Sequence, residues 1–138
     1  MIINLTQHPA TAEQIAAGVV DLAGDARQAL IVALTFDELP TREELEARAE
    51  YIAELAATYS DSDDDAGNAG AVAYPSAAMI GGAPFFMAPL EAALRAVGIA
   101  PLYAFSRRES VEETLPDGTV RKVAVFRHAG FVEAGIEE

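Results

Sequence analysis

The order in which β-prone and helix-prone segments alternate constrains this chain more than any single motif does. Ile2-Ile3-Asn4-Leu5-Thr6 is a short β-prone run at the first residues. It ends in Gln7-His8-Pro9-Ala10-Thr11, where Pro9 disfavours helix at His8. Thr11 with Gln14 three positions on reads as a helix start with a capping box. Ala12 to Leu22 is then expected as a modest helix with Ile15, Val19 and Leu22 on one face, broken at Gly24-Asp25. Residues 29–34 are apolar throughout and fit either a buried parallel strand or a short helix. The strong helix formers around them favour helix. Thr41 caps a further helix from Arg42 to about Tyr59, with Glu44 completing a second capping box. Its apolar positions Leu45, Ala49, Ile52, Leu55, Ala56 and Tyr59 keep helical spacing.

Ser60 to Gly70 is rich in Asp, Ser and Gly and reads as a loop. A strand over Ala71-Val72-Ala73-Tyr74 is expected next, stopped by Pro75-Ser76. The Gly81-Gly82-Ala83-Pro84 turn leads into a helix from about Phe85 to Val97, with Gly98 as the residue that ends it. Ile99 to Phe105 forms another strand, with Ser106-Arg107-Arg108-Glu109-Ser110 at its carboxyl end. The last element is a hairpin: Ser110 to Leu115, the turn Pro116-Asp117-Gly118, then Thr119 to Phe131. Helical crossovers between strands imply a parallel sheet, here with an antiparallel edge. The expectation is a single α/β domain over residues 1–138: a small Rossmann-like, mostly parallel sheet flanked by helices, with a C-terminal antiparallel hairpin.

Composition removes whole classes of function. With no cysteine, a disulfide framework, a thiolate metal site and a cysteine nucleophile are excluded. His8 and His128 are the two histidines, too few for a histidine-rich metal centre, and no cofactor motif is present. A net charge of −13 argues against a long nucleic acid as partner, because a polyanion needs a basic face. Residues 66–90 carry no charge, but three prolines and four glycines interrupt them, so a membrane span is not expected. No targeting segment opens the chain. The expected location is the cytoplasm.

In open α/β sheets ligands bind outside the carboxyl ends of the strands. On the expected layout those ends carry Thr6, Gln7, His8 and Thr11, then Ser76, Gly81 and Gly82, then Ser106, Arg107 and Arg108. Hydroxyls, amides, glycines and arginines together suit phosphate and ribose better than an apolar ligand. Acidity is concentrated in residues 37–65, with 11 acidic and 2 basic side chains, whereas residues 101–128 carry five basic and four acidic. A local cationic pocket for a small nucleotide is thus compatible with the overall charge. Each signal also has a plain structural counterpart. Gly81-Gly82 is more often a plain helix-entry turn than a phosphate cradle, Arg107-Arg108 serve equally as solvated partners of Glu109 and Glu112, and the aspartates at 61–65 read as a solvated loop rather than a calcium loop. The G-x-G-x-x-G and G-x-x-x-x-G-K-[ST] fingerprints are absent, as is a G-x-S-x-G elbow.

Asn4-Leu5-Thr6-Gln7-His8-Pro9-Ala10-Thr11 resembles the N-x-(S/T)-H-P-x-T opening of small stand-alone CRISPR-associated proteins with a CARF-like Rossmann fold. Tyr74-Pro75, Gly98-Ile99-Ala100-Pro101 and Ser106-Arg107-Arg108 are similar to that family's later motifs. The resemblance covers the N-terminal stretch and roughly residues 72–131. It implies a homodimer that binds a cyclic oligoadenylate, a second messenger of antiviral defence, and a metal-free ring nuclease that leaves a 2′,3′-cyclic phosphate. On that basis Arg107 and Arg108 would neutralise phosphate, His8 would protonate the leaving oxygen, and Thr6, Ser76 and Ser106 would position the ligand. The alternative is a non-catalytic accessory or phage-type protein that sequesters a nucleotide or a protein partner.

Overall fold

The computed structural model describes residues 1–60 and 74–135. The elements run β1 (Ile2–Leu5), α1 (Ala12–Ala16), β2 (Val19–Asp21), α2 (Gly24–Leu34), α3 (Arg42–Ala57), β3 (Ala77–Ile80), α4 (Pro84–Ala96), β4 (Ala100–Thr114) and β5 (Val120–Glu133). They build one five-stranded sheet in the order β2-β1-β3-β4-β5. The first four strands are parallel neighbours and β5 is antiparallel to β4. The molecule is an α/β protein with a mixed sheet, its helices on the flanks and an antiparallel pair at the C-terminus.

Strand alternation decides where the core lies. Ile3 and Leu5 of β1, with Ala78 and Ile80 of β3, point to one face and pack there with Leu30, Ile52, Phe86, Leu90 and Leu94 from α2, α3 and α4. The opposite face carries Asn4 and Met79, which are also buried. The crossover from β1 to β2 runs in the opposite lateral direction from the later ones, so right-handedness puts α1 on that second face. Among the described residues no helix is long and apolar enough to cross a membrane.

Several elements form as expected. Thr11 caps α1 with both halves of the capping box in place. Residues 29–34 are helical, in α2. Thr41 accepts from the Glu44 amide at 3.1 Å, but the second capping box is incomplete, because the Glu44 carboxylate turns to Arg48 at 3.0 Å. Arg48 in turn donates to the carbonyls of Ala33 and Thr35 at the end of α2 and lies over the Phe36 ring.

Three expectations are corrected. The helix over 12–22 stops at Ala16, and Val19–Asp21 is a strand: Gly18, at φ +105°, ends the helical turn, and the Ile2 amide bonds the Gly18 carbonyl. The strand expected over 71–74 is instead β3, Ala77–Ile80. Tyr74 is outside any strand, and residues 71–73 of the expected strand lie outside the described residues. Ala-Ala-Met-Ile has weak strand propensity, and its place between β1 and β4 is what makes it a strand. Finally, β4 does not end at Phe105. Every residue from Ser106 to Thr114 has a cross-strand partner on β5, with a bulge at Phe105/Ser106 where Gly130 sits at φ +146°. The turn is tied by Leu115 N to the Thr119 carbonyl at 2.8 Å and by Asp117, which accepts from the amide and hydroxyl of Thr119.

Asn4 is the buried polar side chain of the described core, 1% exposed. Its Nδ2 donates to the His8 carbonyl at 2.8 Å and to Asp21 Oδ1 at 2.7 Å. Its Oδ1 accepts from the Thr6 amide at 2.9 Å and the Thr6 hydroxyl at 2.7 Å. Removing the amide strands four partners, one of them a carboxylate. Asn4→Ala should therefore cost about 2–4 kcal/mol, against about 1 kcal/mol for Thr6→Val, which loses a single hydroxyl bond. Urea denaturation measures both, and equal losses would disprove the central role of the amide.

Candidate functional site

The strand order creates a crevice. From β1 the chain moves outward through α1 to β2, then crosses back over β1 to β3 on the other side. The loops that follow β1 and β3 therefore leave toward opposite faces of the sheet, and a gap opens between them, the usual ligand position in doubly wound sheets. A cavity of about 510 Å³ lies there. Thr6, Gln7, His8, Pro9, Thr11 and Gln14 line it from the β1 side, Met79, Ile80, Gly81 and Gly82 from the β3 side, and Tyr103 and Ala104 from β4. Among the described residues, no Asp, Glu, Lys or Arg is in this lining.

Local bonding leaves the lining residues in different chemical states. The His8 carbonyl is held by Asn4 and approached by the Thr6 hydroxyl at 3.1 Å, so the backbone of His8 shapes the turn. Its imidazole is exposed and has no hydrogen-bond partner among the described residues. Asp21 accepts from the Ala10 amide at 3.0 Å and so fixes the other end of the same loop. Gln7 Nε2 donates to the Thr35 hydroxyl at 3.1 Å, which spans the loop after β1 and the end of α2. Thr11 and Gln14 are committed to each other in the capping box. Gly82 sits at φ +144°, where a side chain is strained, and α4 starts two residues later with no side-chain cap.

Tyr103 closes the cavity from the β4 side. Its hydroxyl donates to Glu91 of α4 at 2.7 Å, and Glu91 also meets Arg95 at 3.4 Å. Burial, and then the bond to this carboxylate, push the phenol up to about 12, so Tyr103 is a fixed donor at neutral pH and not a proton shuttle.

Of the residues expected at the site, Thr6, Gln7, His8, Thr11, Gly81 and Gly82 are gathered here. Ser76 is not. It precedes β3, and its amide and carbonyl bond Met1 and Ala100 at the amino end of the sheet, far from the strand ends that form the cavity. Ser106, Arg107 and Arg108 belong to the exposed ribbon that β4 and β5 form beyond the sheet, opposite His128, Arg127 and Phe126. The residues that sequence reasoning missed are Asn4 and Asp21, which hold the loop, and Tyr103. The available signal for Asn4 was an amide interrupting an otherwise apolar strand.

Fold and cavity together define an α/β protein with a crevice lined by hydroxyl, amide, imidazole and apolar groups at its topological switch point. The chain belongs to a family described as uncharacterized protein MJ1673, whose model matches residues 1–132. Neither the curated proteins nor the solved structures contain a match.

The raised phenol gives a direct check on Tyr103. A group whose pKa is raised on folding stabilises the folded state below its unfolded value and loses that contribution as pH rises through the folded one. The Tyr103 contribution is thus present below about pH 10 and lost between there and about pH 12. Ultraviolet titration should show a late-ionising phenol, and Tyr103→Phe should lower the amplitude of that late step by one tyrosine. A late step of undiminished amplitude in the variant would refute the assignment.

Proposed function

We propose that the switch-point cavity binds a nucleotide of the cyclic oligoadenylate class, and that the protein cleaves it without a metal ion, in prokaryotic defence signalling. The observation that carries the reading is the convergence of an exposed His8 imidazole with Thr6, Gln7 and the Gly81-Gly82 turn in one cavity of about 510 Å³. That volume is in the range of small-molecule sites and suits one nucleotide unit. The hydroxyl, amide and glycine backbone groups of the lining recognise ribose and phosphate by neutral hydrogen bonds. The resemblance of residues 4–11 to the opening of CARF-like proteins narrows the ligand to an oligoadenylate.

In this reading the ribose 2′-hydroxyl attacks the adjacent phosphorus and the bond to the 5′-oxygen breaks. The products are a 2′,3′-cyclic phosphate and a 5′-hydroxyl: the 2′-hydroxyl gives its proton to solvent water, and the leaving 5′-oxygen takes one from the His8 imidazolium. Thr6 and Gln7 hold the ribose, and backbone amides at Gly81 and Gly82 approach the phosphate. Arg107 and Arg108 fall outside the lining and have no assigned step. Among the described residues no Asp, Glu, Lys or Arg lines the cavity, which favours, as the second reading, capture of the nucleotide without turnover.

Incubation with labelled cyclic tetra- and hexa-adenylate, with and without EDTA, tests the proposal. Cleavage that EDTA leaves unchanged supports it, binding without cleavage supports capture, and neither outcome ends the nucleotide reading. Within the first case, His8→Ala should lower turnover about 10²–10⁴-fold with binding nearly intact. His8→Asn should be equally slow, because the turn is held by the His8 carbonyl, which any residue supplies. An Asn variant with full turnover would remove His8 from the chemistry.

A further inference from the structure

Among the described residues, the β4–β5 ribbon has an edge with nothing on it. Beyond Leu102, β4 has β5 on one side and, among the described residues, no strand on the other. Residues 104–114 are exposed apart from the half-buried Val111. A two-stranded ribbon is marginal in water by itself, and a free strand edge is a template for another strand. The charges along the edge specify which strand. Arg107 and Arg108 occupy one half and Glu112 and Glu113 the other, so an antiparallel copy of the same edge presents the complementary order.

We propose that two copies of this chain pair through the free edges of β4, antiparallel about a two-fold axis at Ser110, so that their hairpins form one four-stranded sheet. Facing residues in a sheet must share a face, so a two-fold axis perpendicular to it sets one residue opposite its own counterpart. Centring on Ser110 sets Arg108 opposite Glu112 of the second copy, Arg107 opposite Glu113, and Glu109 opposite Val111. The neighbouring registers fail. Centring on Arg108 or Glu112 sets like charges face to face, centring on Val111 sets Glu109 against Glu113, and centring on Glu109 leaves both arginines opposite uncharged residues. Each cross-strand pair occurs twice by symmetry, which gives four ion pairs.

The single copy leaves these groups ready for such partners. Among the described residues neither Arg107 nor Arg108 contacts a carboxylate, and Arg107 lies opposite Arg127, a like charge. Both contacts from Arg121 to Glu113 end on Oε2, at 3.1 and 3.0 Å, so Oε1 is left for Arg107 of the second copy. The pairing does not depend on what the cavity binds.

The chain has no cysteine, so Ser110→Cys introduces a single thiol. Residues directly opposite in an antiparallel pair have Cα atoms about 4.5–5.5 Å apart, within disulfide range. Mild oxidation should therefore convert Ser110→Cys to a covalent dimer, whereas Ser106→Cys, which faces Thr114, should stay uncrosslinked. Sedimentation velocity on the full chain should show a dimer at high micromolar concentration. Arg108→Glu and Glu112→Arg should each weaken it at least about ten-fold, and the double variant should recover the wild-type affinity. A monomeric wild type, equal cross-linking at both positions, or a double variant no tighter than the single ones would overturn the proposal. Recovery in the double variant cannot come from a folding defect.

Discussion

The Asn4 side chain joins the sheet to the cavity. A buried amide is costly unless both N–H groups and both lone pairs of its oxygen are used. Here all four are, and the partners come from three places: Asp21 at the end of β2, the Thr6 hydroxyl and amide, and the His8 carbonyl. Strand pairing between β1 and β2 brings Asp21 within reach, and Asp21 then takes the Ala10 amide as well. The loop that presents Gln7, His8 and Thr11 is thereby fastened at both ends to the sheet. Its conformation is a consequence of the parallel pairing of β1 with β2.

The Asp21 carboxylate braces that loop, and the arginines of the ribbon stand apart from it. The cavity has a neutral lining, and the arginines of residues 107, 108, 121 and 127 are carried on the ribbon beyond the sheet. A neutral polar cavity recognises a ligand through the direction of its hydrogen bonds, with little dependence on salt. The ribbon's alternating charges act between strands, where a residue's partner is set by register. Tyr103 stands between the two regions: it closes the cavity, and through Glu91 and Arg95 it ties the base of the ribbon to α4, where Arg95 bonds the Ala134 carbonyl.

Much of the fold was legible because some residues act locally. Thr11 with Gln14, Thr41 before a periodic helix, Pro84 after two glycines, and Pro116-Asp117-Gly118 between alternating runs each impose one backbone conformation on their neighbours. The same holds for half of the site. Thr6, Gln7, His8 and Thr11 follow the end of β1, which was legible, and Gly81-Gly82 was found as a turn before a helix although the strand before it was expected over 71–74.

What the sequence by itself determined is the set of local stops and starts, the absence of thiol chemistry and the alternation of strands with helical crossovers. Tertiary structure alone decided which short apolar runs became strands. Val19–Asp21 and Ala77–Ile80 are three and four residues long, too short for periodicity to mark them; they are strands because β1 lies between them and offers its backbone on both edges. That decision moved Ser76 to the amino end of the sheet, and the pairing of β4 with β5 carried Ser106, Arg107 and Arg108 out along the ribbon. Hydrogen bonds between strands distant in sequence leave no local trace in the residues that form them, and for that reason the position of a group relative to the sheet's carboxyl edge could be known only from the folded chain.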